Sequence, residues 1–338
     1  MSNRFVQCKC VGARLVSRVL AAMLDRVRPP WRGGNGEARR MLLGAVLPLI
    51  LVPALGFVAA QGVIASVIIF STLPIVLVYA HFLCARAHSA TKFFAVWALV
   101  SLVLIFAIFE TTVVQMLEIR NDENMSFYIL TLALGVCVYK TKVLAAAGYL
   151  SNDVKYSEAL LREYDTMCPV CRKSVPSRTF HCQICHSCII KRDLHCAWLD
   201  CCIGETNHGW YMLTLLTLIA QLTLCSNLIL TTACHPFVVW GSIMLPDDCS
   251  DVYFDIVYGV CFVTAIYCVL CVVFALSLLC HEVWLITLGV TGHEWRQMSH
   301  KWGSCWGIRE PRPFSHGCLG NWTLYLRGPK MTSSSQTV

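Results

Sequence analysis

Charge is what this sequence has least of. Only 14% of its 338 residues are Asp, Glu, Lys or Arg, against 57% hydrophobic, and mean hydropathy is +0.61. A soluble domain carries about 25% charged residues, so there is too little charge to cover water-soluble globules of this length. Disorder is excluded too, since it needs low hydrophobicity. From Met41 to Cys84 no charged residue occurs in 44 positions. Lys and Arg are absent from Cys234 to Asp255, where the only Asp or Glu residues are Asp247, Asp248, Asp251 and Asp255. The first 30 residues lack the apolar core of a cleavable signal peptide. These absences point to a polytopic membrane protein.

The apolar runs divide into about six spans, each needing about 20 residues. Two fit between Met41 and Cys84 with a turn near Gln61, a third starts near Phe93 and passes Glu110, and a fourth runs from Ser126 to about Ala146. The fifth is expected from Gly209 to about Thr232 and the sixth from Ile256 to Cys280. Basic residues crowd the first 40 positions, the segment holding Arg86 and Lys92, the stretch between spans four and five, and the tail. The positive-inside rule therefore puts both termini and the cysteine-rich segment in the cytosol. The loop from Cys234 to Asp255 falls on the other side, where Cys234 and Cys249 could pair as a disulfide. Leu15, Val16, Val19, Leu20, Met23, Leu24 and Val27 recur at helical spacing among arginines. That pattern suits either an amphipathic helix on the anionic leaflet or a solvated basic arm.

What is abundant is cysteine. There are 21, and 8 of them fall between Cys168 and Cys202 with His181, His186 and His195. Pairs spaced C-x2-C let two thiolates reach one tetrahedral ion from a tight turn. Arg172, Lys173, Arg178, Lys191 and Arg192 share the stretch, which argues against cysteines simply packed in a core. Membrane tethering and the lack of a recognition-helix pattern set nucleic acid aside as a partner. The expected fold is thus an all-α polytopic membrane protein carrying a small cytosolic zinc-binding domain. Its parts are a basic arm (1–40), four spans (41–150), the cysteine-rich domain (151–208), two spans (209–290) and a cytosolic tail (291–338).

The order and spacing of Cys168, Cys171, Pro176, Arg178, His181, Cys182, Cys185, Cys188, Arg192, Asp193, His195, Cys196, Trp198, Cys202, Gly204 and Asn207 resemble the Asp-His-His-Cys (DHHC) protein S-acyltransferases, or palmitoyltransferases. Thr291-Gly-His-Glu294 resembles that family's Thr-Thr-x-Glu motif, and Phe314-Ser-His-Gly317 with Asn321-Trp322 resembles its C-terminal motif. The resemblance implies two Zn2+, one on Cys168, Cys171, His181 and Cys188 and the other on Cys182, Cys185, His195 and Cys202. It puts Cys196 at the nucleophile and Asp193 beside it. The co-substrate would be fatty acyl-coenzyme A such as palmitoyl-coenzyme A, whose phosphates Arg178 could meet. Acceptors would be membrane-associated proteins with juxtamembrane cysteines, and the location an endomembrane (ER or Golgi) bilayer. The motif itself reads Asp193-Leu194-His195-Cys196, so Leu194 stands where the family has the histidine that serves as base. Two readings follow: an acyltransferase acting through Cys196, or a catalytically weak or inactive DHHC-like zinc-structured membrane adaptor.

Overall fold

The computed structural model describes residues 43–87, 91–116, 121–148, 166–172, 174–239, 243–302 and 312–327. The basic arm, its proposed amphipathic helix and the end of the tail lie outside the described residues. Among the described residues, five helices are long and apolar enough to cross a membrane: α2 (Val63–Ala87), α3 (Phe93–Ile108, continuing through a π-helical turn, Phe109–Val113, to Met116), α4 (Asn121–Ala147), α5 (His208–Ala233) and α6 (Ile256–Leu288). A sixth apolar helix, α1 (Leu43–Ala59), has 17 residues. Two shorter helices follow α6, namely α7 (Gly292–Trp302) and α8 (Gly317–Leu326). Exposed apolar side chains such as Ile64, Ile75 and Leu132 cover these helices on their outer faces. A helix that is apolar all round belongs in lipid or in a core, and the chain is a multi-pass membrane protein.

The observed helices follow the expected spans, but α4 begins at Asn121, ahead of the expected Ser126, and the last span ends later than expected. α6 runs to Leu288, two turns past the expected end at Cys280, carrying His281 and Glu282 inside the helix. Hydropathy falls at those residues, but Glu282 is 1% exposed and its carboxylate lies 3.3 Å from His208 Nε2. A partner for the buried charge lets the helix continue where composition alone would end it.

The described chain forms two compact units. The first comprises residues up to Ile129, the short segment Ala197–Asp200 and Ala220–Val272. Here α1 and α2 form a hairpin closed at Ala60–Gly62, with Ser66 Oγ donating to Ala59 O (2.8 Å) and Tyr253 Oη donating to Ser66 (2.8 Å). The π turn of α3 brings Glu110 to the Tyr128 hydroxyl (2.7 Å), and Phe109 packs on Phe127 with ring centroids 4.0 Å apart. Between α5 and α6 the strands β7 (His235–Val239) and β8 (Ile243–Asp248) pair antiparallel, and a Cys234–Cys249 disulfide joins their outer ends. Trp198 packs on Phe94 and stacks against His81.

The second unit comprises Leu130–Cys196, Cys201–Ile219 and the chain from Val273 onward. It holds three small antiparallel pairs: β1 (Thr166–Met167) with β2 (Ser174–Val175), β3 (Thr179–Cys182) with β4 (Ser187–Ile190), and β5 (Leu194–Cys196) with β6 (Cys201–Ile203). Asn207 fastens them to α4: its side-chain amide donates to Thr141 O and Cys202 O (3.0 Å each) and its carbonyl accepts from Gly204 N (2.9 Å). Gly204 must be glycine, because a Cβ there would come within 2.6 Å of Ile189 and 2.9 Å of Ile190 O.

Candidate functional site

The cysteine-rich segment turns sharply after each C-x2-C. Arg172 and His186, each directly following the second cysteine of a pair, take φ values of 55° and 53°. These left-handed residues reverse the chain so that both sulfurs face inward, which accounts for His186 without making it a ligand. Register completes the donor sets. His181 lies opposite Cys188 across β3–β4, and His195 lies opposite Cys202 across β5–β6.

Two groups of four donors result, Cys168, Cys171, His181 and Cys188, and Cys182, Cys185, His195 and Cys202, each with its ligand atoms within 4.8 Å of one another. In the first, Cys171 Sγ is 3.1 Å from His181 Nδ1 and 3.6 Å from Cys188 Sγ. In the second, His195 Nδ1 lies 3.4 Å from Cys185 Sγ, 3.5 Å from Cys202 Sγ and 3.9 Å from Cys182 Sγ. A tetrahedron with metal–ligand bonds of about 2.0–2.3 Å has edges of roughly 3.3–3.8 Å. The sulfur-rich donor chemistry and the spacing both fit a closed zinc site. The interleaving has a simple cause: His181 and Cys182 are consecutive in a strand, so their side chains leave on opposite faces and cannot share one ion.

Cys196 is 6% exposed, stands opposite Cys201 in the β5–β6 register, and belongs to neither donor group nor to the disulfide. Leu194, paired with Ile203, is two residues earlier and shares its face of the strand. Asp193 is 3% exposed. Its Oδ1 accepts the Gly292 N–H, its backbone carbonyl accepts from Arg296 Nη2 (2.7 Å), and its Oδ2 has no hydrogen-bond partner among the described residues. Burial, reinforced by the Glu282 charge, pushes the Asp193 carboxyl up to about 6 despite His208, the Gly292 N–H and Arg296.

A third group was not anticipated from the sequence. Asp193, His208 and Glu282 bring two carboxylates and an imidazole within 4.8 Å, and His208 Nδ1 is 3.0 Å from the Tyr325 hydroxyl. The available signal was His281-Glu282 near the end of a span, a costly place for an acid unless it is partnered.

Arg178, the residue expected to meet coenzyme A phosphates, forms a bidentate pair with Glu294 and lies 4.7 Å above the Phe314 ring centroid. Glu294 also accepts the Thr291 N–H (2.8 Å), while Thr291 Oγ1 accepts the Glu294 N–H (3.3 Å). That reciprocal arrangement is a capping box at the start of α7. Burial opposes the Glu294 charge, but Arg178 and Thr291 prevail and hold its carboxyl below the ordinary range. Asn321 ties α8 to the end of α6, donating to Thr287 O (3.0 Å) and accepting from His316 N (2.8 Å).

Residues 162–299 match the family model described as DHHC palmitoyltransferase. Over 95% of its length the chain is 27% identical to the zebrafish (Danio rerio) protein named Palmitoyltransferase ZDHHC23-B, covering 84% of that protein. It is 23% identical to Palmitoyltransferase ZDHHC23 of Mus musculus over 96% of this chain and 85% of the relative. The human (Homo sapiens) Palmitoyltransferase ZDHHC23 is 24% identical over 74% of this chain and 71% of its own.

Proposed function

Through residues 162–299 the chain belongs to the DHHC palmitoyltransferase family, and on that premise we propose that it is a protein-cysteine S-acyltransferase acting through Cys196. The observation that carries this reading is Cys196 itself, a buried thiol directly after a donor histidine that neither four-donor group employs. In the first step the Cys196 thiolate adds to the thioester carbonyl of a fatty acyl-coenzyme A, and the coenzyme A thiolate departs and takes up a proton. In the second, the thiolate of a juxtamembrane cysteine on a protein substrate takes the acyl group, and Cys196 is regenerated.

Cys168, Cys171, His181 and Cys188 would hold one Zn2+, and Cys182, Cys185, His195 and Cys202 the other. Bound there, zinc would contribute folding free energy. Asp193 is buried where the family's motif pairs it with a histidine, and Leu194 offers its Oδ2 no hydrogen bond. Cysteine is the nucleophile least dependent on a general base, so a slow enzyme is the preferred reading. Leu194 is also what favours the second reading, a zinc-structured membrane adaptor. A role for Arg178 at the coenzyme A phosphates would require its pair with Glu294 to open. In this proposal both termini and the cysteine-rich domain face the cytosol, in an endomembrane bilayer. Incubating purified full-length protein with labelled palmitoyl-coenzyme A tests the reading: hydroxylamine-sensitive label that depends on Cys196 supports it, and its absence on folded, zinc-loaded protein leaves the adaptor.

A further inference from the structure

The first compact unit carries a partly open cavity of about 340 Å³ among α1, α2, α3 and α6. Neither α4, α5 nor the cysteine-rich segment contributes to its wall. Its origin lies in α1: Pro53 and Gly56 face the space, and a Cβ built on Gly56 meets nothing within 4 Å. Small and ring-closed residues at these positions leave a gap that a leucine would fill. Along α3 the cavity extends from Trp97 to Ile108, roughly 16 Å at 1.5 Å per residue.

Its polarity is one-ended. Trp97, Ser101 and Tyr267 meet at one end, with Trp97 Nε1 donating to the Tyr267 hydroxyl (3.0 Å) and Ser101 Oγ 2.7 Å from the same oxygen. Thr264, also in the wall, spends its hydroxyl on Val260 O (2.7 Å). Among the described residues that line it there is no Asp, Glu, Lys, Arg or His.

We propose that this cavity binds a membrane sterol, with its hydroxyl at the Trp97–Ser101–Tyr267 end and its ring system running along α3 toward Ile108. Apolar pockets of about 300–1,000 Å³ with a few converging polar groups are the usual form of small-molecule sites. A carboxylate or phosphate head seated at the Trp97–Ser101–Tyr267 end would meet no counter-charge there, which is unfavourable. That argument disfavours a fatty acid, an acyl-coenzyme A or a phospholipid. A single hydroxyl both donates and accepts, matching the hydroxyl pair at the polar end. Fused rings also lose less conformational freedom on binding than a flexible chain does. The inference is independent of acyl transfer, since the cavity contains no residue of the proposed reaction.

The test uses full-length protein in nanodiscs and a photoactivatable sterol carrying an alkyne. Saturable labelling should map to peptides of α1 and α3, with unlabelled cholesterol competing and palmitate failing to compete. Cholestane, which lacks the hydroxyl, should compete roughly fivefold less well, about the worth of one hydrogen bond. Gly56→Leu should remove most of the labelling, and Val52→Phe is the second filling variant should the first not fold. Cys196→Ser should leave it unchanged. Competition by palmitate as strong as by cholesterol, or full labelling of a folded cavity-filled variant, overturns the proposal.

Discussion

Arg178 and Glu294 form a fork-to-fork ion pair, with Nε 2.7 Å from Oε1 and Nη2 2.7 Å from Oε2. The two residues are 116 apart in sequence, and both side chains are largely shielded from solvent. The pair joins the turn before β3 to the first turn of α7, the helix whose Gly292 N–H meets Asp193. Removing Glu294 strands a guanidinium and removes half of a capping box.

Glu294→Ala should therefore destabilise the second unit by about 3–5 kcal/mol, the range for removing one partner of a buried pair. The pH dependence has a definite sign. The Glu294 carboxyl is held below its ordinary value, so its contribution is complete above the unfolded pKa of about 4.3 and is lost as pH falls through the lower folded value. Thermal melts of wild type and Glu294→Gln should differ at pH 7 and converge in acid. Equal melting at pH 7 would remove the pair from any account of stability.

Metal analysis of purified protein should find about two zinc ions per chain, the number two closed four-donor sites hold. Cys171→Ser and Cys185→Ser should each lower that number and loosen the domain, because ligand loss forfeits folding free energy. Cys196→Ser should retain both ions. Zinc loss in that last variant would make Cys196 a ligand and end its candidacy as nucleophile.

Autoacylation of the wild type should be slow, dependent on Cys196, and faster as pH rises, since no imidazole at position 194 assists ionisation of the thiol. Leu194→His places an imidazole on the Cys196 face of β5, one residue from the unpartnered Oδ2 of Asp193. A general base is worth about 10²–10⁴ in rate, so acylation should accelerate most at the lower end of the pH range. Uptake of label by neither protein, both folded, would favour the adaptor.

Epitope tags at Met1, near Ser151 and at Val338 should be reached from the cytosol, and one near Pro246 should be protected. Cys234 and Cys249 should react with a thiol probe only after reduction, as a disulfide on the oxidising side of a membrane requires. A tag near Ser151 on the opposite side from Met1 would break the proposed sidedness.

Much of this molecule is legible without coordinates, because burial in lipid and metal ligation leave strong local signatures. Uncharged runs announce the helices, and the C-x2-C spacing announces metal sites. Two features depended on tertiary structure. Spacing cannot say which cysteines share an ion; strand alternation at His181-Cys182 and the cross-strand partners Cys188 and Cys202 divide them. Nor could composition keep His281 and Glu282 inside a helix. Hydropathy reads each residue alone, whereas the fold brings Glu282 against His208, from another span, in addition to its neighbour His281. Local composition and spacing thus set the approximate places of the helices and the ligand types, while pairing at a distance, of ligands and of buried charges, arises only in the folded chain.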